Sequence, residues 1–186
     1  MSNSKTNKST ISIKQLACSS IAIALAMVTS YLKIIHLPMG GSVTLFSMLF
    51  ICLVGYWYGL RHGLIAGCAY GLLQLIIDPY IISVPQLLVD YIFAFGALGL
   101  SGLFHNHKGG LIKGYLLGVL GRFIFSFVSG LIFFGSYAAD YNLAAPVYSF
   151  VYNGAYLGLE AVLTIVVLSL PPIQKGLAHI KNMVID

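Results

Sequence analysis

The sequence has 186 residues and a formal net charge of +5, with 59% hydrophobic side chains and only 8% charged ones. A soluble domain carries about 25% charged residues, so this chain has too little polar surface to face water on all sides. It therefore does not read as a soluble enzyme or a nucleic-acid binder; its apolar runs 16–32, 43–60, 64–77 and 161–170 instead reach or approach the ~20 residues that cross a bilayer as a helix.

In chain order, residues 1–12 form a polar tail rich in Ser, Thr and Lys. The apolar stretch after it is long enough to remain as a span instead of being cleaved as a signal peptide. A first helix is expected over 13–33, ended by His36-Leu37-Pro38-Met39-Gly40-Gly41, which cannot continue a helix. A second follows over 43–60, and the tight join Leu60-Arg61-His62-Gly63 leads into a third over 63–78. Asp78-Pro79 and Val84-Pro85 bracket a short turn before a fourth over 85–104. The polar loop 105–110 precedes a fifth over 111–135, and a longer loop over 137–146 precedes a sixth over 146–170. Pro171-Pro172 stops that helix and leaves a tail over 173–186. The expectation is an all-α bundle of six spans over 13–172.

Cations indicate its orientation. Lys5, Lys8, Lys14, Arg61, Lys108, Lys113, Lys175 and Lys181 fall at the termini and in alternate loops, whereas the opposite loops hold Lys33, Asp78 and Asp140. Both termini and both tails are then cytoplasmic, which requires an even number of spans. Small residues recur four apart, as in Cys18, Ala22, Ala26 and Ser30, or Gly63, Gly67 and Gly71. In lipid such spacing marks close helix packing. The stripe on the first helix could equally seat a partner protein.

Ionisable groups at membrane depth are costly and need a partner, a cavity or a function. Asp90 lies near the outer end of the fourth helix, while Arg122 and Glu160 lie near mid-depth on the fifth and sixth, which suggests an ion pair between them. At about 100° per residue, Gln86, Asp90 and Phe93 share a face of the fourth helix with Tyr91 at its edge. Arg122, Ser126, Ser129 and Phe133 share a face of the fifth; Ser149, Tyr152, Asn153, Tyr156 and Glu160 share one of the sixth. One carboxylate, an amide and several rings suit a small, flat, cationic or heteroaromatic ligand, through stacking, cation–π attraction and charge neutralisation. Catalysis and energy coupling find no support: there is no phosphate loop, no His-Glu-x-x-His, and the three cysteines stand apart from any helical histidine. His105 and His107 read as a solvated loop, so neither a metal nor another cofactor is expected.

The ordered set Gly40–Leu45, Tyr70–Gln74, Pro85–Tyr91, Gly121-Arg122-Phe123, Ser129–Phe134 and Tyr148–Tyr156 resembles the thiamine-specific substrate-binding component of energy-coupling factor transporters. The resemblance covers almost the whole chain after Thr10. It implies a six-helix vitamin-capture subunit of a bacterial cytoplasmic membrane that binds thiamine from outside and docks on a transmembrane coupling protein carrying two ATPases. It assigns thiamine contacts to Asp90, Tyr91, Tyr148 and Asn153, and a docking role on the first helix to Ala22 and Ala26. Gln86, Ser126, Phe134 and Tyr156 complete the expected lining. Ser126 stands where better-known members place a His, and Phe134 lies near where they place a Trp; Tyr137 or Tyr141 could supply a missing ring. The other readings are a sibling subunit for another heterocycle, such as hydroxymethylpyrimidine or riboflavin, and, from a different class, a membrane-embedded enzyme or a channel.

Overall fold

The computed structural model describes residues 11–37 and 41–185; Lys5, Lys8 and the Pro38–Gly40 part of the first loop lie outside them. Helix α1 (Ile13–Tyr31) starts where Ser12 accepts from the Gln15 amide while the Gln15 side chain accepts from the Ser12 amide. This reciprocal pair satisfies two otherwise orphaned donors. The helix ends at Tyr31, and the chain becomes strand β1 (Lys33–His36), paired antiparallel with β2 (Ser42–Thr44). The hairpin departs from the all-α expectation. The run from Val43 is apolar enough for a helix, but its β-branched Val43 and Thr44 suit an extended, paired strand.

Helix α2 (Ser47–Tyr58) is consequently short, with 12 residues. Gly59, at φ +86°, turns directly into α3 (Leu60–Ile77), a left-handed conformation that glycine adopts without a Cβ penalty. Then come α4 (Val84–Phe104), α5 (Gly110–Phe133), a 3-10 turn (Gly135–Tyr141), α6 (Ala145–Leu168) and α7 (Pro171–Ile185). Five helices, α1 and α3 to α6, are long and apolar enough to cross a membrane, and α2 is a shorter apolar helix beside them. Ile21, Ile76, Phe150 and Val162 point outward, a lipid-facing pattern. The C-terminal tail is a helix; its register is amphipathic, a pattern masked in the sequence by the two prolines that begin it.

The α4 helix is not uniform. After one α-turn it widens to a π-helical stretch over Leu88–Phe93, then tightens to 3-10 geometry over Ala97–Phe104. Glycines on both helices bring α3 and α4 so close that Gly71 of α3 has the Tyr91 carbonyl where a Cβ would stand, and Gly99 of α4 has the Gly63 backbone there. Such backbone approach is how helices associate where lipid offers no hydrophobic drive.

Two more pairs of residues singled out in the sequence have defined surroundings. Ala22 is 3% exposed and packs with Val54 and Ala66, while Ala26 is fully buried and its carbonyl accepts from Tyr70 Oη at 3.4 Å. Both alanines therefore hold α1 against α2 and α3. Arg122 and Glu160 do not form an ion pair. Glu160 accepts from Thr44 Oγ1 (2.6 Å), Ser47 Oγ (3.2 Å) and the Met48 amide (3.1 Å), and the Arg122 guanidinium lies 4.1 Å above the Phe95 ring. The reason lies in α2, which begins inside the bundle at Phe46 (φ +61°) with no cap from its own side chains. Its N-terminal amides and positive dipole end attract the carboxylate of α6 instead.

Candidate ligand-binding site

At the hairpin end of the bundle the helices diverge around a cavity of about 560 Å³, within the range of small-molecule sites. Its walls come from the hairpin, the turn between α3 and α4, the first half of α4, and the facing halves of α5 and α6. Asp90, Tyr91, Tyr148, Asn153, Ser126, Phe134, Gln86 and Tyr156 all line it, as do Arg122 and Glu160.

Asp90 is half-buried and held by one defined partner: Gln86 Nε2 donates to Oδ2 at 2.7 Å. Gln86 is fixed in turn, accepting from the Ile82 amide at 3.0 Å and donating to the Tyr80 carbonyl at 3.2 Å. Ser83 caps the start of α4 by accepting from the Gln86 amide. The sequence Ser-Val-Pro-Gln thus starts a helix, aims an amide and presets a carboxylate within one turn.

Tyr91 lines the cavity with its ring, because its hydroxyl is committed elsewhere. It donates to the Asp78 carbonyl (3.1 Å) and accepts from the Tyr80 amide (2.9 Å), tying the α3–α4 turn to α4. Phe93, expected on the cavity face, instead pairs with Phe125 at 5.7 Å and is 49% exposed, and Phe95 takes the cavity position. The π-helical stretch explains the exchange, since i→i+5 bonding slips the register that an α-helical wheel assumes.

Three tyrosines of α6 and Tyr141 of the preceding turn form a ladder. Tyr141 lies 5.6 Å from Tyr148, Tyr148 stacks on Tyr152 at 5.9 Å with 11° between planes, and Tyr152 meets Tyr156 edge-on at 5.5 Å. Helical spacing of four produces it, with Tyr148, Tyr152 and Tyr156 in one file. Asn153 sits beside this file with its amide largely spent. Nδ2 donates to the Ser149 carbonyl (3.0 Å) and the Ser126 carbonyl (3.2 Å), and Oδ1 accepts from Tyr156 Oη (3.0 Å). One acceptor position on Oδ1 remains. Asn153 thereby fastens α6 to α5 at the level of the cavity.

Above these groups, Tyr80 and Tyr137 share a 2.6 Å hydrogen bond between hydroxyls, and Tyr80 stacks on Phe134 at 5.8 Å. The hydrogen bond to Tyr137 raises the Tyr80 phenol above its ordinary value, so the Tyr80 ring stays neutral at physiological pH. Tyr80, Tyr137, Phe95, Thr44 and Ser47 join the lining without belonging to the expected set, although Tyr137 had been one of two candidate rings. The aromatic residues of the 78–83 turn and the 135–141 turn were the available signal.

Comparisons with known proteins agree with one another. Residues 16–179 match the sequence profile of the thiamine transporter protein family. The thiamine transporter ThiT of Bacillus subtilis (strain 168) is 35% identical over 150 residues, covering 73% of this chain and 77% of the relative. That of Lacticaseibacillus paracasei is 29% identical over 129 residues, 58% of this chain and 64% of the relative. A solved structure of ThiT from Listeria monocytogenes is similar with a TM-score of 0.68 and 25% identity, over 86% of this chain and 95% of that one.

Proposed function

This chain belongs to the thiamine transporter protein family, and from that premise we propose that it is the capture subunit of an ATP-driven importer. It is a multi-pass protein of the bacterial cell membrane, and its relatives are named as transporters, not enzymes. It binds thiamine from the outer side and delivers it on association with a transmembrane coupling protein and two ATPase subunits. The orientation is that of six spans over 13–172, with α2 as the short sixth, and with both tails cytoplasmic; the clustering of Arg61, Lys108, Lys113, Lys175 and Lys181 at the terminal end supports it.

The observation that carries the reading is the preset Asp90 carboxylate in an otherwise aromatic cavity. Thiamine has a cationic ring and an aminopyrimidine, which call for one negative charge, flat apolar walls and few polar contacts. Asp90 compensates the charge with Gln86 as its positioner. Tyr91, Tyr148, Tyr156 and Phe134 supply the walls, and Ser126 and the open acceptor position of Asn153 supply polar contacts. No cofactor takes part.

Titration calorimetry on the purified chain tests this directly. Thiamine gives saturable one-to-one heat, while riboflavin gives none and hydroxymethylpyrimidine binds more weakly for want of the cationic ring. Tight riboflavin binding without thiamine binding overturns the substrate assignment. Co-purification of a coupling protein and two ATPases tests the assembly.

A further inference from the structure

Helix α7 crosses the terminal end of the bundle instead of continuing α6. Near its start, Gln174 and Leu177 face Leu111 and Ile112 of α5 and Leu168 of α6 across a small cleft. Near its end, Lys181 Nζ donates to the His105 carbonyl at 2.6 Å and lies 3.7 Å above the Tyr56 ring, and Tyr58 Oη donates to the Val184 carbonyl at 3.3 Å. A 15-residue helix is about 22 Å long, enough to reach from α5 and α6 to the ends of α2 and α4. Its axis therefore lies across the spans.

Leu177, Lys181 and Val184, spaced by four and three, form the face on the bundle. One flank of that face leaves Ile173 (37% exposed), Ile180 (37%) and Met183 (54%) without cover. The side turned away from the bundle carries Lys175, His179 and Asn182. The same end of the bundle exposes Lys108 and Lys113. Of the five acidic residues, Asp78, Asp90 and Glu160 line the cavity and Asp140 lies in the Gly135–Tyr141 turn, which leaves only Asp186, next in sequence after α7, against Lys108, Lys113, Lys175 and Lys181.

We propose that α7 is an interfacial anchor for an anionic lipid leaflet, with Ile173, Ile180 and Met183 in the acyl region and Lys175, Lys108 and Lys113 on lipid phosphates. A helix lying across the spans at their end occupies the depth of the headgroups. An apolar flank beside a basic one is what that layer accommodates. The excess of positive charge selects a negatively charged surface over a neutral one. Water leaves the apolar flank unsatisfied, and a zwitterionic leaflet leaves the charge unused.

The proposal takes its sidedness from the orientation above. The test is hydrogen exchange on the full chain in nanodiscs of phosphatidylcholine alone or with a third phosphatidylglycerol. Protection of the 171–185 amides should rise in the anionic discs by about fivefold for each basic residue engaged. Lys175→Glu should remove most of that rise, and Ile180→Asp should lower protection in both lipids, with thiamine binding unchanged in each. Equal protection in the two lipids overturns the proposal. So does protection that appears only when the coupling protein and ATPases are added, which makes the flank a protein-docking surface. Cleavage at Lys175 by protease added outside intact cells defeats the orientation alone and leaves the nanodisc result standing.

Discussion

Replacing Asp90 by Asn probes the cavity with the least collateral change. Asparagine keeps the size of the side chain and an oxygen that accepts from Gln86 Nε2, so the short turn built on Gln86, Ile82 and Tyr80 survives. Only the charge goes. A cationic ring about 5 Å from the carboxylate, at an effective dielectric near 20, gains roughly 3 kcal/mol. The carboxylate is half-buried beside an open cavity, and screening there reduces the gain to about 2 kcal/mol, or ~30-fold in Kd. Calorimetry on wild type, Asp90→Asn and Asp90→Glu should give affinities in the order wild type ≥ Glu ≫ Asn, with melting temperatures within a few degrees. A loss below threefold for Asp90→Asn would show that the cation is neutralised elsewhere, and the assignment of Asp90 would fall.

Three further outcomes follow from other contacts. Glu160→Gln replaces one of two accepting oxygens by an NH2, which then meets either the Thr44 hydroxyl or the Ser47 hydroxyl and Met48 amide, so it should lower stability by about 1–3 kcal/mol, read as a drop in melting temperature in detergent. In a double-mutant cycle with Arg122→Met its coupling should stay below about 0.5 kcal/mol; a value well above 1 restores the ion pair. Gly71→Ala drives a methyl group into the Tyr91 carbonyl and should cost about 1–3 kcal/mol or more as well as thiamine affinity, whereas a wild-type melting curve refutes the α3–α4 contact. Tyr137→Phe removes the hydroxyl pair with Tyr80, worth about 1 kcal/mol; stopped-flow fluorescence should show thiamine leaving several-fold faster, and an unchanged rate removes the Tyr80–Tyr137 pair from the binding pathway.

The long spans were legible because length and apolarity alone define them, and five helices sit within a few residues of the expected bounds. Most of the lining was legible too: Tyr152, Asn153 and Tyr156 follow ordinary helical angles on α6. What failed did so where the backbone leaves α-helical geometry. Phe93 and Phe95 exchange places because of a π-helical stretch that no α-wheel contains. Ser42–Thr44 reads as the start of a helix until its pairing with Lys33–His36 is seen, since a strand this short has no period to detect. Ala22 and Ala26 form a small-residue stripe, but spacing alone cannot say whether the partner is another chain or the next helix of the same one.

The pairing of Arg122 with Glu160 failed for a different reason, and that reason joins fold to site. Arg122 and Glu160 line the same cavity, but similar depth leaves out the third charge, the bare N-terminus of α2. Once the hairpin occupies Ser42–Thr44, α2 must begin inside the bundle, where its first amides have no water. Glu160 answers them and through Thr44 also holds the hairpin. The same α6 carries Tyr148, Asn153 and Tyr156 into the cavity. The hairpin at the mouth and the aromatic wall are therefore fixed to each other by one carboxylate. A displacement of α6 that strains the Glu160 contacts also disturbs the hairpin that lines the same cavity.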